Sequence, residues 1–99
     1  MSRELAVGVA AGAERLELVV LGGSPRLCRA SFPSTPIGWA AVRGFLAGYR
    51  RPVRLAVAGA AALGFALAVG NTPERRVLIM SPGPAKSALQ LAVQAKNHR

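Results

Sequence analysis

Six arginines carry the most obvious chemistry in this chain. Arg43, Arg50, Arg51 and Arg54 fall around one segment boundary, and Arg75 and Arg76 open a later segment. Guanidinium groups gathered on one edge suit phosphate oxygens, which they bind through paired N–H donors. The alternative is a solvated basic rim with no ligand. Other reactive groups are few. Thirteen Lys and Arg stand against four acids, giving a net charge of +9; the acids are Glu4, Glu14, Glu17 and Glu74, and there is no Asp. Such a balance favours an anionic partner such as nucleic acid or a membrane surface. A metal centre needs several converging ligands. One histidine, His98, and one cysteine, Cys28, do not supply them, so no metal and no cofactor is expected.

Two further patterns fall short of a function. "GAAALGFA", residues 59–66, has the glycine spacing of a phosphate-binding loop. Phe65 and Ala66 stand where that loop needs a Lys for the phosphates and a hydroxyl for magnesium. The uncharged run Leu55–Gly70 is shorter than the 17 or so residues that a membrane span requires. Arginines flank it on both sides, so it is expected to be a buried strand followed by a helix. One cysteine permits no internal disulfide, which fits a reducing cytoplasm. No signal-peptide pattern is seen at the N-terminus.

The elements that must hold these residues can be read from periodicity. "LAVGVA", 5–10, is apolar throughout, as in a strand covered on both faces. "LELVVL", 16–21, follows a turn at Gly12 and reads as its hairpin partner. "RLCRASF", 26–32, is more polar and predicts an edge strand. The period then changes. Ser34 or Thr35 can cap a helix whose first turn holds Pro36, with Trp39, Val42, Leu46 and Tyr49 on one face. "VRLAVAG", 53–59, is a buried strand, and "AAALGFALAVG" is a short apolar helix. "RRVLIM", 75–80, is a fifth strand. Residues 84–96 form a last helix with Ala85, Ala88, Leu89, Ala92 and Val93 on one face. The order β-β-β-α-β-α-β-α predicts a single α/β domain over residues 1–99. It has a mixed five-stranded sheet, antiparallel in one half and parallel in the other, with helices on both faces. This is the element order of ribonuclease H-like domains.

Several stretches in order and spacing resemble one family: "AVGVAAGAERLELVVL", "STPIGWAAVRGFL", "VRLAVAGAAALGFALAV" and "VLIMSPGPAKSALQLAVQAKN". Together they are similar to the N-terminal domain of the insertion-sequence-110 transposases and the related Piv DNA invertases, a domain with the fold of the Holliday-junction resolvase RuvC. The resemblance covers most of the chain. Its most specific pieces are "TPIGW" and "SPGPAKSALQLAVQAKN".

The resemblance implies DNA strand cleavage with magnesium held by acids at the end of the first strand, at the end of the fourth strand and after an Ala-Lys pair in the last helix. Ala10, Ala58 and His98 stand at these places, with Asn97 before His98. Magnesium takes oxygen ligands, usually carboxylates, waters and substrate phosphates, and a methyl group offers none. The resemblance therefore implies a transposase-like domain of a mobile element that is not an enzyme, with Ala10 and Ala58 side by side on adjacent strands. Glu17 matches a non-catalytic acidic position and is given no role. The partners to expect are DNA or structured RNA at Arg43, Arg50, Arg51, Arg54, Arg75 and Arg76. The alternative is a protein-interaction module that homodimerises or docks on an intact transposase. A small membrane-associated protein comes third.

Overall fold

The computed structural model describes residues 4–23, 27–69, 75–79 and 87–97. Five strands form one sheet: β1 (Leu5–Ala11), β2 (Arg15–Leu21), β3 (Leu27–Pro33), β4 (Val53–Ala58) and β5 (Arg75–Ile79). Three helices accompany them, α1 (Pro36–Ala47), α2 (Ala62–Val69) and α3 (Ala88–Asn97). The strand order is β3-β2-β1-β4-β5. β2 runs antiparallel to both β1 and β3, while β4 runs parallel to both β1 and β5. The expected α/β architecture and mixed five-stranded sheet are present.

β1 is central, and its two alternating sets of side chains enter different cores. Leu5, Val7, Val9 and Ala11 join Leu16, Leu18, Val20, Val53, Leu55 and Val57 under α1 and α2, which contribute Val42, Leu46, Phe65 and Val69. Ala6 and Ala10 face α3, with Ala56, Ala58, Leu91, Ala92 and Ala95 around them. The first face is built of large side chains and the second mainly of small ones. Phe65 is fully buried, which contributes about 2–3 kcal/mol. Crossovers of one hand, from β1 to β4 and on to β5, place α1 and α2 on the same side and leave the other side to α3.

The close seat of α3 depends on Gly8. A Cβ there would overlap the Ala88 carbonyl oxygen and the Ala92 nitrogen. The buried stripe of α3 is therefore Ala88, Leu91, Ala92 and Ala95. The expected stripe included Val93, which is instead 42% exposed, and Leu89, which is only half-buried. Ala85 lies outside the described residues. The helix also begins later than 84. The Ser87 hydroxyl accepts from the Gln90 amide N–H, and the Gln90 side-chain oxygen accepts from the Ser87 amide. This reciprocal capping box fixes the first turn at Ala88.

Local signals set the other helices. The Thr35 hydroxyl accepts from the Gly38 amide at 3.2 Å, and Pro36 occupies the first helical position of α1. Val42 and Leu46 are buried, with Trp39 and Tyr49 packed at the margin of the same core. The uncharged run from Leu55 divides into β4, a turn and the eight-residue α2. Among the described residues no helix is long and apolar enough to cross a membrane.

Candidate nucleic-acid interface

The two ends of the sheet differ in chemistry. At the C-terminal ends of β1 and β4, Ala10 pairs directly with Ala58. Ala10 also pairs with Glu17 on β2, and Glu17 with Ser31 on β3. Ser31, Glu17, Ala10 and Ala58 thus form one row on the α3 face, since residues paired across strands point the same way. The two alanines are half-buried against the core beneath α3. Glu17 is exposed and belongs to a surface cluster. Arg15 donates to the Ser31 hydroxyl at 2.8 Å, and that hydroxyl donates to Glu17 Oε1 at 3.4 Å.

Backbone bonds close this end. The Ala11 carbonyl accepts from the Ala61 amide at 2.9 Å, and the Arg15 carbonyl accepts from the Gly12 amide at 3.0 Å. Gly59 turns the chain there with φ +120°, close against the Ala11 backbone, a conformation open to glycine and strained for other residues. Among the described residues no three His, Cys, Asp or Glu side chains gather where a metal ion could be held.

The opposite end is basic. A hollow of about 530 Å³ opens between the starts of β1 and β4, the end of β2 and the last turn of α3, and Glu4, Gly22, Arg51, Arg54 and Lys96 are among the residues around it. Arg54 pairs with Arg76 across β4 and β5, so both project to the α3 face. On the other face of the same edge, Arg50, Arg51 and Arg75 line a second hollow of about 240 Å³. Lys96 stands in the last turn of α3, where a cation complements the helix dipole.

These cations are not equivalent. Arg51 donates to the Gly22 carbonyl at 2.9 Å and ties the approach to β4 onto the end of β2. Arg75 donates to the Val69 carbonyl at 2.8 Å, satisfying the C-terminus of α2. Arg54 donates to Glu4 Oε1 at 2.9 Å, with the two side chains 18% and 27% exposed. Arg76 and Lys96 are exposed. Arg50 holds φ 53° just after α1, a left-handed conformation that costs a non-glycine residue roughly 1 kcal/mol.

Of the six arginines singled out in the sequence, five meet at this edge. Arg43 does not; it is exposed on α1 and lines neither hollow. Arg54, Arg75 and Arg76 share the edge but not a face, because consecutive strand residues alternate, and Arg75 points away from the other two. Sequence reasoning missed Glu4, Gly22 and Lys96, which arrive from distant segments and carry no local motif. His98 lies outside the described residues. The helix leading to it brings Ala95 and Lys96 beside Glu4 and Arg54, at the sheet end away from Ala10 and Ala58. Neither a protein-family model nor a curated protein sequence matches the chain.

Proposed function

We propose that the chain is a ribonuclease H-like domain related to the N-terminal domain of insertion-sequence-110 transposases, no longer an enzyme, that binds DNA or structured RNA through its arginine edge. The strand order and the antiparallel-parallel division of the sheet support the fold reading. The pairing of Ala10 with Ala58 supports the loss of catalysis, since methyl groups now occupy adjacent strand ends where the resemblance implies carboxylates. A regulatory role in a mobile element is compatible with these two readings.

One observation carries the binding reading. Arg50, Arg51, Arg54, Arg75 and Lys96 line the two hollows at one sheet edge, Arg76 adjoins them, and Glu4 is the one acid that lines either hollow among the described residues. All five aromatic rings, Phe32, Trp39, Phe45, Tyr49 and Phe65, belong to the core on the α1 and α2 side. None is placed to stack a base at the Arg54–Lys96 hollow, which favours contact with a double-helical backbone over a single-strand platform. The test is an anisotropy titration with a short duplex and an RNA hairpin across about 50 to 200 mM salt. With three or four phosphates contacted, the logarithm of affinity should fall with a slope of about −3 against the logarithm of salt. No binding at low salt, or a flat dependence, rejects the reading. Magnesium added to the complex should produce no cleavage.

A second reading is favoured by the outer surfaces of the helices. Ile37 on α1 and Leu63 and Leu67 on α2 are 82%, 64% and 76% exposed. An apolar surface of this kind suits a homodimer or a protein partner such as an intact transposase. Sedimentation equilibrium of the wild type and Leu67→Glu decides it: a dimer that the charge dissociates supports this reading, and a monomer in both removes the homodimer.

A further inference from the structure

We infer that Glu4 is a built-in competitor for the phosphate at Arg54, so that the chain holds its own nucleic-acid edge partly in check. The inference rests on the nucleic-acid reading above and adds how the site is regulated. Three observations lead to it. Glu4 precedes β1 and Arg54 lies in β4, yet the carboxylate sits 2.9 Å from Arg54 Nη2 inside the basic hollow. Arg51 and Lys96 line the same hollow. The two other described acids, Glu14 and Glu17, stand in and beside the β1–β2 turn, far from it along the strands.

A carboxylate and a phosphate oxygen ask for the same thing from an arginine: an N–H fork and a positive field. Glu4 uses one donor of Arg54, and a guanidinium carries five. A phosphate entering the hollow meets Arg54 already neutralised in part, and meets the negative charge of Glu4 at short range. Binding must loosen the Glu4–Arg54 pair or accept that repulsion. The pair is only partly exposed, so salt screens it less than it screens the open rim. Arg76, the neighbour of Arg54 on the same face, is exposed and has no such partner among the described residues. It supplies the contact that Glu4 does not govern.

Glu4→Gln keeps the shape and removes the charge. Removing a like charge several ångströms from a phosphate at a protein surface should tighten duplex binding about three- to tenfold at low salt. A double-mutant cycle separates local competition from a general change in net charge. In an Arg54→Gln background the gain from Glu4→Gln should fall below about twofold, since the site being contested is gone. Arg76→Gln should weaken binding whether Glu4 is present or not. Thermal unfolding of each variant confirms that the fold is kept, and Arg54→Lys gives a second version of the site with the charge retained and the fork removed.

The outcomes are distinct. If wild type binds, Arg76→Gln weakens it and Glu4→Gln tightens it only when Arg54 is present, the inference stands. If wild type binds but Glu4→Gln changes nothing, or gains equally with and without Arg54, the competitor role is overturned and the binding site remains. If no duplex binds at low salt, both fall together.

Discussion

The two ends of one sheet have kept opposite kinds of chemistry. At the end formed by Ala10 and Ala58, methyl groups stand side by side on adjacent strands, and the Ala11 carbonyl is taken up by a backbone amide. At the other end Glu4, Arg51, Arg54 and Lys96 line a hollow, and Arg76 stands beside Arg54 on the next strand. The comparison teaches that this sheet packs its β1 and β4 strand ends with methyl groups alone. Small apolar groups there let α3 settle on Ala6, Gly8 and Ala10, and no polar or charged residue is buried among the described residues. The basic edge needs positive charge for only two structural bonds, those of Arg51 and Arg75. Arg54 is paired with Glu4, and Arg76 and Lys96 are exposed.

The comparison breaks most severely at Gly8, which lies between the two ends. Gly8→Ala forces α3 off the sheet and should cost about 3 kcal/mol or more, because the clash is with helix backbone and no side chain can move aside. Chemical denaturation measures it, and a loss below about 1 kcal/mol would mean α3 is not seated as described. Next comes the methyl end. Ala10→Asp with Ala58→Glu places two carboxylates side by side in a half-buried row, and should destabilise by about 2–3 kcal/mol at neutral pH. Like charges this close raise at least one of the two pKa values, so the loss should shrink as pH falls and a proton is taken up. Magnesium that restores stability to this double variant, and not to the wild type, would show that two carboxylates at these strand ends suffice to hold the ion, as the proposed relationship requires.

Smaller effects sharpen the basic end. Arg50→Gly relieves the left-handed backbone and should stabilise by about 1 kcal/mol while removing one cation from the rim. A thermal melt reads the gain, and the duplex titration reads the lost charge. The smallest effect concerns Tyr49. Burial first, then the Cys28 thiol hydrogen-bonded beside it, push the phenol above its ordinary value. A raised value in the folded state means that the fold holds the proton more tightly than the unfolded chain does. The associated stability is present below about pH 10 and is lost as pH rises through the folded value. Tyr49→Phe should therefore flatten the alkaline loss of stability, measured by denaturation on both sides of that pH.

Much of the fold was legible because its signals are local. The unbroken apolar run of β1 announced a strand covered on both faces, the polar β3 announced an edge, and Thr35 with Pro36 announced the start of α1. The α3 boundary was legible too, in the Ser87-Ala-Leu-Gln90 capping box, but periodicity alone drew it too early. The buried stripe of α3 was not legible, since Leu91 and Val93 are equally apolar and only the contact with Gly8 selects between them. At the basic edge, the sequence suggests one patch of Arg54, Arg75 and Arg76, but alternation along β5 puts Arg75 on the opposite face from Arg76. The convergence of Glu4, Gly22, Arg54 and Lys96 depended on strand register and on the direction of α3, which no short stretch encodes.

The most direct test is an amide-resolved NMR titration of the labelled chain with a short DNA duplex at low salt. Shifts should concentrate at Gly22, Arg51, Arg54, Arg76 and Lys96 and leave Ala10, Gly12, Ala58 and Gly59 in place. Shifts centred on Ala10 and Ala58, or growing there when magnesium is added, would contradict the proposed placement of nucleic-acid binding at the arginine edge.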